Sequence, residues 1–116
     1  MARIRTIKPS FWADDKVVTL SRDARLLLIG MVSQADDAGR VVASPAALIG
    51  SVYPQDEDVT AAKVKRWLAE IDRSGVARLY STGKAQYAFF PHWNKHQRID
   101  RPQTSQLPEP PADGLF

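Results

Sequence analysis

The clearest helical pattern in the chain begins after Thr60 and ends at Ser74-Gly75, and strand-forming residues follow it at once. Threonine is a good N-cap, and glycine is typical of a helix end. Between these limits the apolar residues recur at helical spacing, namely Val64, Trp67, Leu68 and Ile71. Two short runs with aromatic residues, 76–81 and 85–90, flank Thr82-Gly83-Lys84, which predicts a β-hairpin. A helix that leads directly into a hairpin restricts the chain to a few α+β folds.

Upstream, the sequence predicts two further helices and a short strand. Ser21 caps a helix so apolar that it belongs at the centre of a domain, and Asp36-Asp37-Ala38-Gly39 ends it. Residues 40–43 predict a short strand, and Ser44-Pro45 begins a helix that ends at Tyr53. The predicted order is helix, short strand, helix, helix and two-stranded hairpin. This is the order of a winged helix-turn-helix, here residues 11–95, although a small α+β domain with no nucleic-acid role has the same elements.

Basic arms flank this domain. The chain has a net charge of +3, and the excess lies in the N-terminal arm, residues 1–10, and around a C-terminal extension, residues 96–102. The middle of the chain is close to neutral. Residues 103–116 are proline-rich and acidic, which predicts a disordered tail. Basic arms beside a domain are a common way to bind phosphates, but such residues also simply keep proteins soluble.

The pattern indicates double-stranded DNA as the partner and a specific set of contacts. In a helix-turn-helix the second helix of the motif enters the major groove with its N-terminal half nearest the bases. Here that half carries three basic residues, the hairpin carries two more, and the arms carry the rest. The predicted DNA-binding residues are Lys63, Lys65 and Arg66 in the helix, Arg78 and Lys84 in the hairpin, and Arg3, Arg5, Lys8, Lys95, Arg98 and Arg101 in the arms.

Other classes of function find little support. The chain has no cysteine, which excludes disulfides and cysteine-ligated zinc. His92 and His96 are four residues apart, but a zinc site needs three or four ligands, so we predict no metal site. No phosphate loop or nucleophile elbow is present, so we expect neither a cofactor nor enzyme activity, and we interpret Asp36-Asp37 as a structural turn. No apolar run approaches the roughly 18 residues of a membrane span, and the first residues lack the pattern of a signal peptide.

Three blocks of sequence resemble a family of phage and prophage helix-turn-helix proteins. They are Arg3-Ile4-Arg5-Thr6-Ile7-Lys8-Pro9 with Phe11-Trp12, Asp36-Asp37-Ala38-Gly39-Arg40, and Trp93-Asn94-Lys95-His96-Gln97 with Ile99-Asp100-Arg101-Pro102. Members are generally taken to be replication-initiation proteins or their DNA-binding N-terminal modules. The resemblance implies a winged-helix fold and binding of an origin or other duplex DNA during phage replication, in the cytoplasm of the host cell. Longer members carry a further C-terminal region that engages a helicase or its loader, whereas this chain ends after the proline-rich tail.

Two alternatives stay open. The acidic loop Asp56-Glu57-Asp58, just before the third helix, would repel phosphate and favours a module that binds a host or replication protein. A transcriptional regulator would use the same fold, and the aromatic strands could pair edge to edge in a homodimer. For the DNA-binding interpretation, we expect both arms to fold onto one face and to form a shared basic surface with the third helix.

Overall fold

Three helices form the body of the protein in a computed structural model that describes residues 3–111. They are α1 (Arg22–Gln34), α2 (Pro45–Val52) and α3 (Ala61–Ser74). The predicted N-caps are confirmed, because the side chains of Ser21, Ser44 and Thr60 each accept a hydrogen bond from a backbone N–H of the first turn. Each helix packs against the other two around a shared core. Its largest fully buried side chains are Val17, Leu27, Leu28, Met31, Leu48, Val64 and Ile71.

A three-stranded antiparallel sheet completes the α+β fold. Its strands are β1 (Arg40–Val42), β2 (Arg78–Thr82) and β3 (Ala85–Phe89), in the order β1-β3-β2. The hairpin turn contains Gly83, whose φ of 59° lies in the left-handed region that glycine tolerates. The short strand predicted after α1 therefore pairs with the second strand of the hairpin. β1 and β2 are the two edge strands of this sheet. A homodimer formed by edge pairing would use one of them, and it stays a prediction.

The helix count differs from the sequence-based expectation of three. A fourth helix, α4 (Trp93–His96), follows the sheet, and two 3-10 turns, Pro9–Ala13 and Val17–Thr19, precede α1. A helix this short is a single turn, which is too short to leave an apolar period in the sequence. It is fixed instead by Trp93, whose side chain is buried in the core.

The C-terminal segment also differs from the expected disordered tail. Residues 103–111 follow a defined path along the sheet, while residues 112–116 lie outside the described part of the chain. The Gln103 N–H donates to Asp37 Oδ2 at 2.9 Å, and Arg40 Nη1 donates to the Leu107 carbonyl at 3.1 Å. Composition alone cannot predict this, because proline-rich segments have few apolar side chains but many main-chain carbonyls that a neighbouring donor can bind.

Candidate nucleic-acid interface

The inner face of α3 anchors it in the core. Val64, Trp67, Leu68 and Ile71 are all buried, as the helical spacing predicts. The Trp67 ring also packs against Tyr53, with 5.7 Å between ring centroids. Burial raises the pKa of the Tyr53 hydroxyl to about 12, so this group stays protonated beneath α3. The helix is therefore held rigidly by one face, and its opposite face points to solvent.

Both carboxylates of α3 are turned toward the protein. Glu70 accepts hydrogen bonds from the Ser21 backbone N–H at 2.8 Å and from the Ser21 hydroxyl at 2.9 Å, at the start of α1. Asp72 accepts from the Leu79 N–H at 3.0 Å and forms an ion pair with Arg78, whose Nε lies 3.5 Å away. These carboxylates therefore fix α3 to α1 and β2, and they do not neutralise the cations on its outer face.

Two of the three basic residues predicted in the first half of α3 lie on its exposed surface. Lys65 and Arg66 are exposed, and Arg73 continues the basic face toward the C-terminal end. Lys63 differs, because it is half-buried and its ammonium donates to the Asp58 carbonyl at 2.8 Å. Lys63 therefore holds the acidic loop against α3, while Lys65 and Arg66 are free to meet a ligand in solvent.

The hairpin turn carries one exposed cation. Lys84 lies at the turn next to Gly83 and is exposed. Arg78 is only 24% exposed in its side chain and forms the ion pair with Asp72. Of the two hairpin residues predicted to bind DNA, Lys84 is exposed, whereas Arg78 joins β2 to α3.

The two basic arms pair with each other. Thr6 donates its N–H to Gln97 Oε1 at 3.0 Å, and Gln97 Nε2 donates back to the Thr6 carbonyl at 2.9 Å. Lys8 Nζ donates to the Lys95 carbonyl at 2.7 Å, and Arg3 Nη1 donates to the Asp100 carbonyl at 3.0 Å. Of the basic residues predicted for DNA contact here, Arg3 and Lys8 are engaged in holding the arms together. The side chains of Lys95, Arg98 and Arg101 stay on the surface.

Arg5 is a correction to the predicted DNA-binding set. Its side chain is only 4% exposed, and its Nη2 donates to Asp37 Oδ1 and to the Ala35 carbonyl, both at 2.9 Å. The guanidinium also lies 5.1 Å from the centroid of the Trp93 ring. An arginine with these partners binds its own protein and cannot reach a phosphate.

Asp37 is the centre of this cluster, which sequence reasoning described only as part of a turn. Besides Arg5 and the Gln103 N–H, Arg3 Nε lies 3.5 Å from Asp37 Oδ2, and Trp93 Nε1 donates to the Asp37 carbonyl at 3.0 Å. The Gln103 hydrogen bond, followed by the hydrogen bond and charge of Arg5 and the charge of Arg3, lowers the pKa of the Asp37 carboxyl, against the opposing effect of burial. The only sequence signal for this cluster was that the three blocks named in the family resemblance occur together and in order.

This cluster predicts a stability that depends on pH. Because the pKa of Asp37 is lower in the folded state than its ordinary value of 3.8, its contribution is present above that value and is lost as the pH falls below it. Asp37→Asn should destabilise the chain at pH 7 and flatten the loss of unfolding free energy between about pH 5 and pH 2. Urea unfolding followed by tryptophan fluorescence across that range measures both, with Asp15→Asn as the comparison for an exposed carboxylate. An Asp37→Asn chain that loses stability on acidification as steeply as the wild type would contradict the assignment.

The single basic surface expected from the arms and α3 stays a prediction, because no direct contact joins them among the described residues. Among residues 3–111, the contacts of the arms involve each other and the Asp36-Asp37 turn, and none reaches Lys63, Lys65 or Arg66. Residues of both arms line a cavity of about 110 Å³, and Val76 lines it too. Val76 lies just beyond the C-terminal end of α3. At a rise of about 1.5 Å per residue, Arg66 is roughly 12 Å from that end. We describe the exposed cations of the arms and those on the outer face of α3 as two basic regions.

Neither a metal-binding cluster nor a membrane-spanning helix is found among the described residues. Within the described residues, no group of three or more histidine or acidic side chains is placed to hold a metal ion. None of the helices between residues 3 and 111 combines the length and the apolar character that crossing a bilayer requires. In comparisons with known proteins, no family model, no curated protein and no solved structure matches this chain.

Proposed function

We propose that this chain is a non-catalytic DNA-binding protein with a winged helix-turn-helix fold. In this proposal α3 is the recognition helix, and the β2–β3 hairpin is the wing. The observation that carries it is the one-sided charge of α3. Its carboxylates, Glu70 and Asp72, are bound within the protein, while Lys65 and Arg66 are exposed beside each other on the outside.

The exposed cations have chemistry suited to duplex DNA. A guanidinium such as that of Arg66 donates two parallel hydrogen bonds to a guanine edge, whereas an ammonium such as that of Lys65 holds a phosphate as a point charge. Lys84 at the wing tip would bind the backbone beside the groove. Lys95, Arg98 and Arg101 form the second basic region, which would bind phosphates farther along the duplex.

The resemblance to phage and prophage helix-turn-helix proteins supports a role in the initiation of phage DNA replication. A transcriptional regulator would bind DNA with the same surfaces, and the identity of the target site would separate the two. We favour replication because the three blocks of the resemblance converge in space around Asp37, which supports treating them as one structural feature.

Fluorescence anisotropy with a mixed-sequence 30-base-pair duplex, titrated at several salt concentrations, tests the proposal. Each phosphate contact contributes about −0.9 to the slope of log affinity against log salt, so Lys65, Lys84 and one or two arm residues predict a slope of about −3 to −4. Micromolar or tighter binding with that slope would support the proposal. No binding at low salt would overturn it.

A protein-binding module is the second candidate, and the acidic loop favours it. Asp56, Glu57 and Asp58 are exposed immediately before α3. Their charges would oppose a phosphate at this end of the helix and would suit a basic partner protein.

Neutralising this loop distinguishes the two candidates. If α3 binds DNA, replacing Asp56 and Asp58 with asparagine and Glu57 with glutamine should raise the affinity for DNA about threefold to fivefold at low salt. Screening should shrink the gain as salt is added, which the same anisotropy titration measures. Unchanged or weaker DNA binding at low salt would place the loop away from DNA and would favour the protein-binding candidate.

A further inference from the structure

The sheet has an aromatic face that points away from the helices. Val41, Leu79 and Ala88 face the core, so the residues that alternate with them lie on the opposite side. On that side the Tyr80 and Tyr87 rings stack with 5.4 Å between centroids, and the Phe89 ring lies 5.9 Å from Tyr80, edge to face. Arg40 on β1 and Arg78 on β2 are both paired with Phe89 in the sheet register, so they border the aromatic residues.

The chain's own C-terminal segment lies on this face. The Tyr80 hydroxyl donates to the Pro108 carbonyl at 2.7 Å, and Arg40 Nη1 donates to the Leu107 carbonyl at 3.1 Å. Leu107, Pro108 and Pro110 are half-buried. Tyr80 is only 7% exposed although it lies on the side away from the helices, because the segment covers it. Burial also raises the pKa of the Tyr80 phenol, which therefore stays able to donate.

This arrangement has the chemistry of proline-rich peptide recognition. Proline-rich segments are extended and carry solvated carbonyls with few N–H donors, and grooves that bind them present aromatic rings together with hydrogen-bond donors. Both donors here reach main-chain carbonyls and not side chains. The face therefore recognises an extended, proline-rich backbone and does not depend on the identity of every side chain in it.

We propose that this aromatic face is a binding groove for an extended proline-rich segment of a partner protein, with the pattern Leu-Pro-X-Pro-Pro, and that residues 107–111 are its internal competitor. The groove lies on the sheet and is independent of DNA binding by α3.

Other occupants fit the structure less well. Of the two cations that border this face, Arg78 is engaged by Asp72, so only Arg40 would be released to meet the phosphates of single-stranded nucleic acid. The tail of a second copy is also disfavoured. Gln103 and Ser105 bind Asp37 and Asp36 of the same chain just before the segment, which gives each tail a high effective concentration at its own groove.

The test is an NMR titration of the isotope-labelled full-length chain with the free peptide Ser-Gln-Leu-Pro-Glu-Pro-Pro, the sequence of residues 105–111. In the variant that carries Pro108→Ala and Pro110→Ala, the internal competitor is weakened. The peptide should shift the ring signals of Tyr80 and Tyr87 and the amide signals of β2 and β3. It should bind this variant at least about tenfold more tightly than it binds the wild type, as expected when an intramolecular ligand is released.

Two controls connect the shifts to the groove. Adding Tyr80→Phe to the variant should weaken peptide binding about fivefold, the effect of one lost hydrogen bond to a neutral group. The same peptide with all three prolines replaced by alanine should bind much more weakly.

Four results would overturn the proposal. They are no shifts in either chain, equal binding after Tyr80→Phe, shifts that map to another surface, and shifts of the groove by an oligo-dT strand but not by the peptide. Light scattering on the wild-type chain checks whether the tail of a second copy occupies the groove. A dimer that forms through the tail would reassign the groove to a second copy.

Discussion

Gly39→Ala is expected to lower the free energy of unfolding by about 3 kcal/mol, since it adds backbone strain to a severe steric conflict. Gly39 has a φ of 80°, which a side chain disfavours. A Cβ atom at this position would also lie 2.6 Å from Trp93 Cγ and 2.8 Å from Trp93 Cδ2. Trp93 cannot simply move away, because its Nε1 donates to the Asp37 carbonyl and its ring packs on Phe90 and Arg5.

Two other glycines separate strain from steric conflict. Gly83 has a φ of 59° but no heavy atom within 4 Å of the added Cβ, so Gly83→Ala should cost only the backbone term, about 1 kcal/mol. Gly50 lies in α2 with open space around it, and Gly50→Ala should stabilise the chain by about 0.5 to 1 kcal/mol. Urea unfolding followed by tryptophan fluorescence gives all three values. A Gly39→Ala chain as stable as the Gly83→Ala chain would show that Trp93 does not pack against Gly39.

Gly39 also shows which features of the fold can be predicted from residues that are close together in the sequence. The caps Ser21, Ser44 and Thr60 and the apolar spacing in α3 predict the helices, because those signals act within one or two turns. The sequence predicted the strand β1 but not its pairing with the hairpin, although a short strand between two helices has few other partners. The turn Asp36-Asp37-Ala38-Gly39 was predicted from the sequence, whereas the contact of Gly39 with Trp93 is not a local property.

The same limit explains where the structure departs from the predicted candidate site. Arg5 and Asp37 are far apart in sequence, and a basic residue near a terminus has the same pattern whether it binds a phosphate or a buried carboxylate. Charge counts therefore overestimate the surface available to DNA. Arg5 is buried, Arg78 pairs with Asp72, and Arg3, Lys8 and Lys63 donate to carbonyls of the protein. The predicted DNA-binding residues that remain exposed outside these contacts are Lys65 and Arg66 on α3, Lys84 at the hairpin turn, and Lys95, Arg98 and Arg101 near the C-terminal arm.

The two basic regions differ in how much they contribute to the stability of the fold. The N-terminal arm, the Asp36-Asp37 turn and the segment after α4 form one structural clasp, held by ionic and amide hydrogen bonds. Substituting Arg3, Arg5 or Lys8, which hold the clasp together, would alter stability as well as charge, so such variants cannot test DNA binding alone. The outer face of α3 has no such role, because Lys65 and Arg66 are exposed and their removal leaves the core intact.

Lys65→Ala and Arg66→Ala together should weaken binding to the 30-base-pair duplex about 30- to 100-fold, because a base-edge arginine and a phosphate-bound lysine are both lost. The salt slope should also become less steep by roughly 1 to 2. The matched control is Lys16→Ala with Arg22→Ala, which removes the same charge from exposed positions outside α3 and should change the affinity by no more than about threefold. Unfolding midpoints must agree among the wild type and both variants, so that any loss of affinity reflects contact with DNA. If the α3 variant binds as tightly as the control, the recognition-helix assignment is wrong. Lys95→Ala with Arg98→Ala would then show whether the arm region is the one that holds DNA.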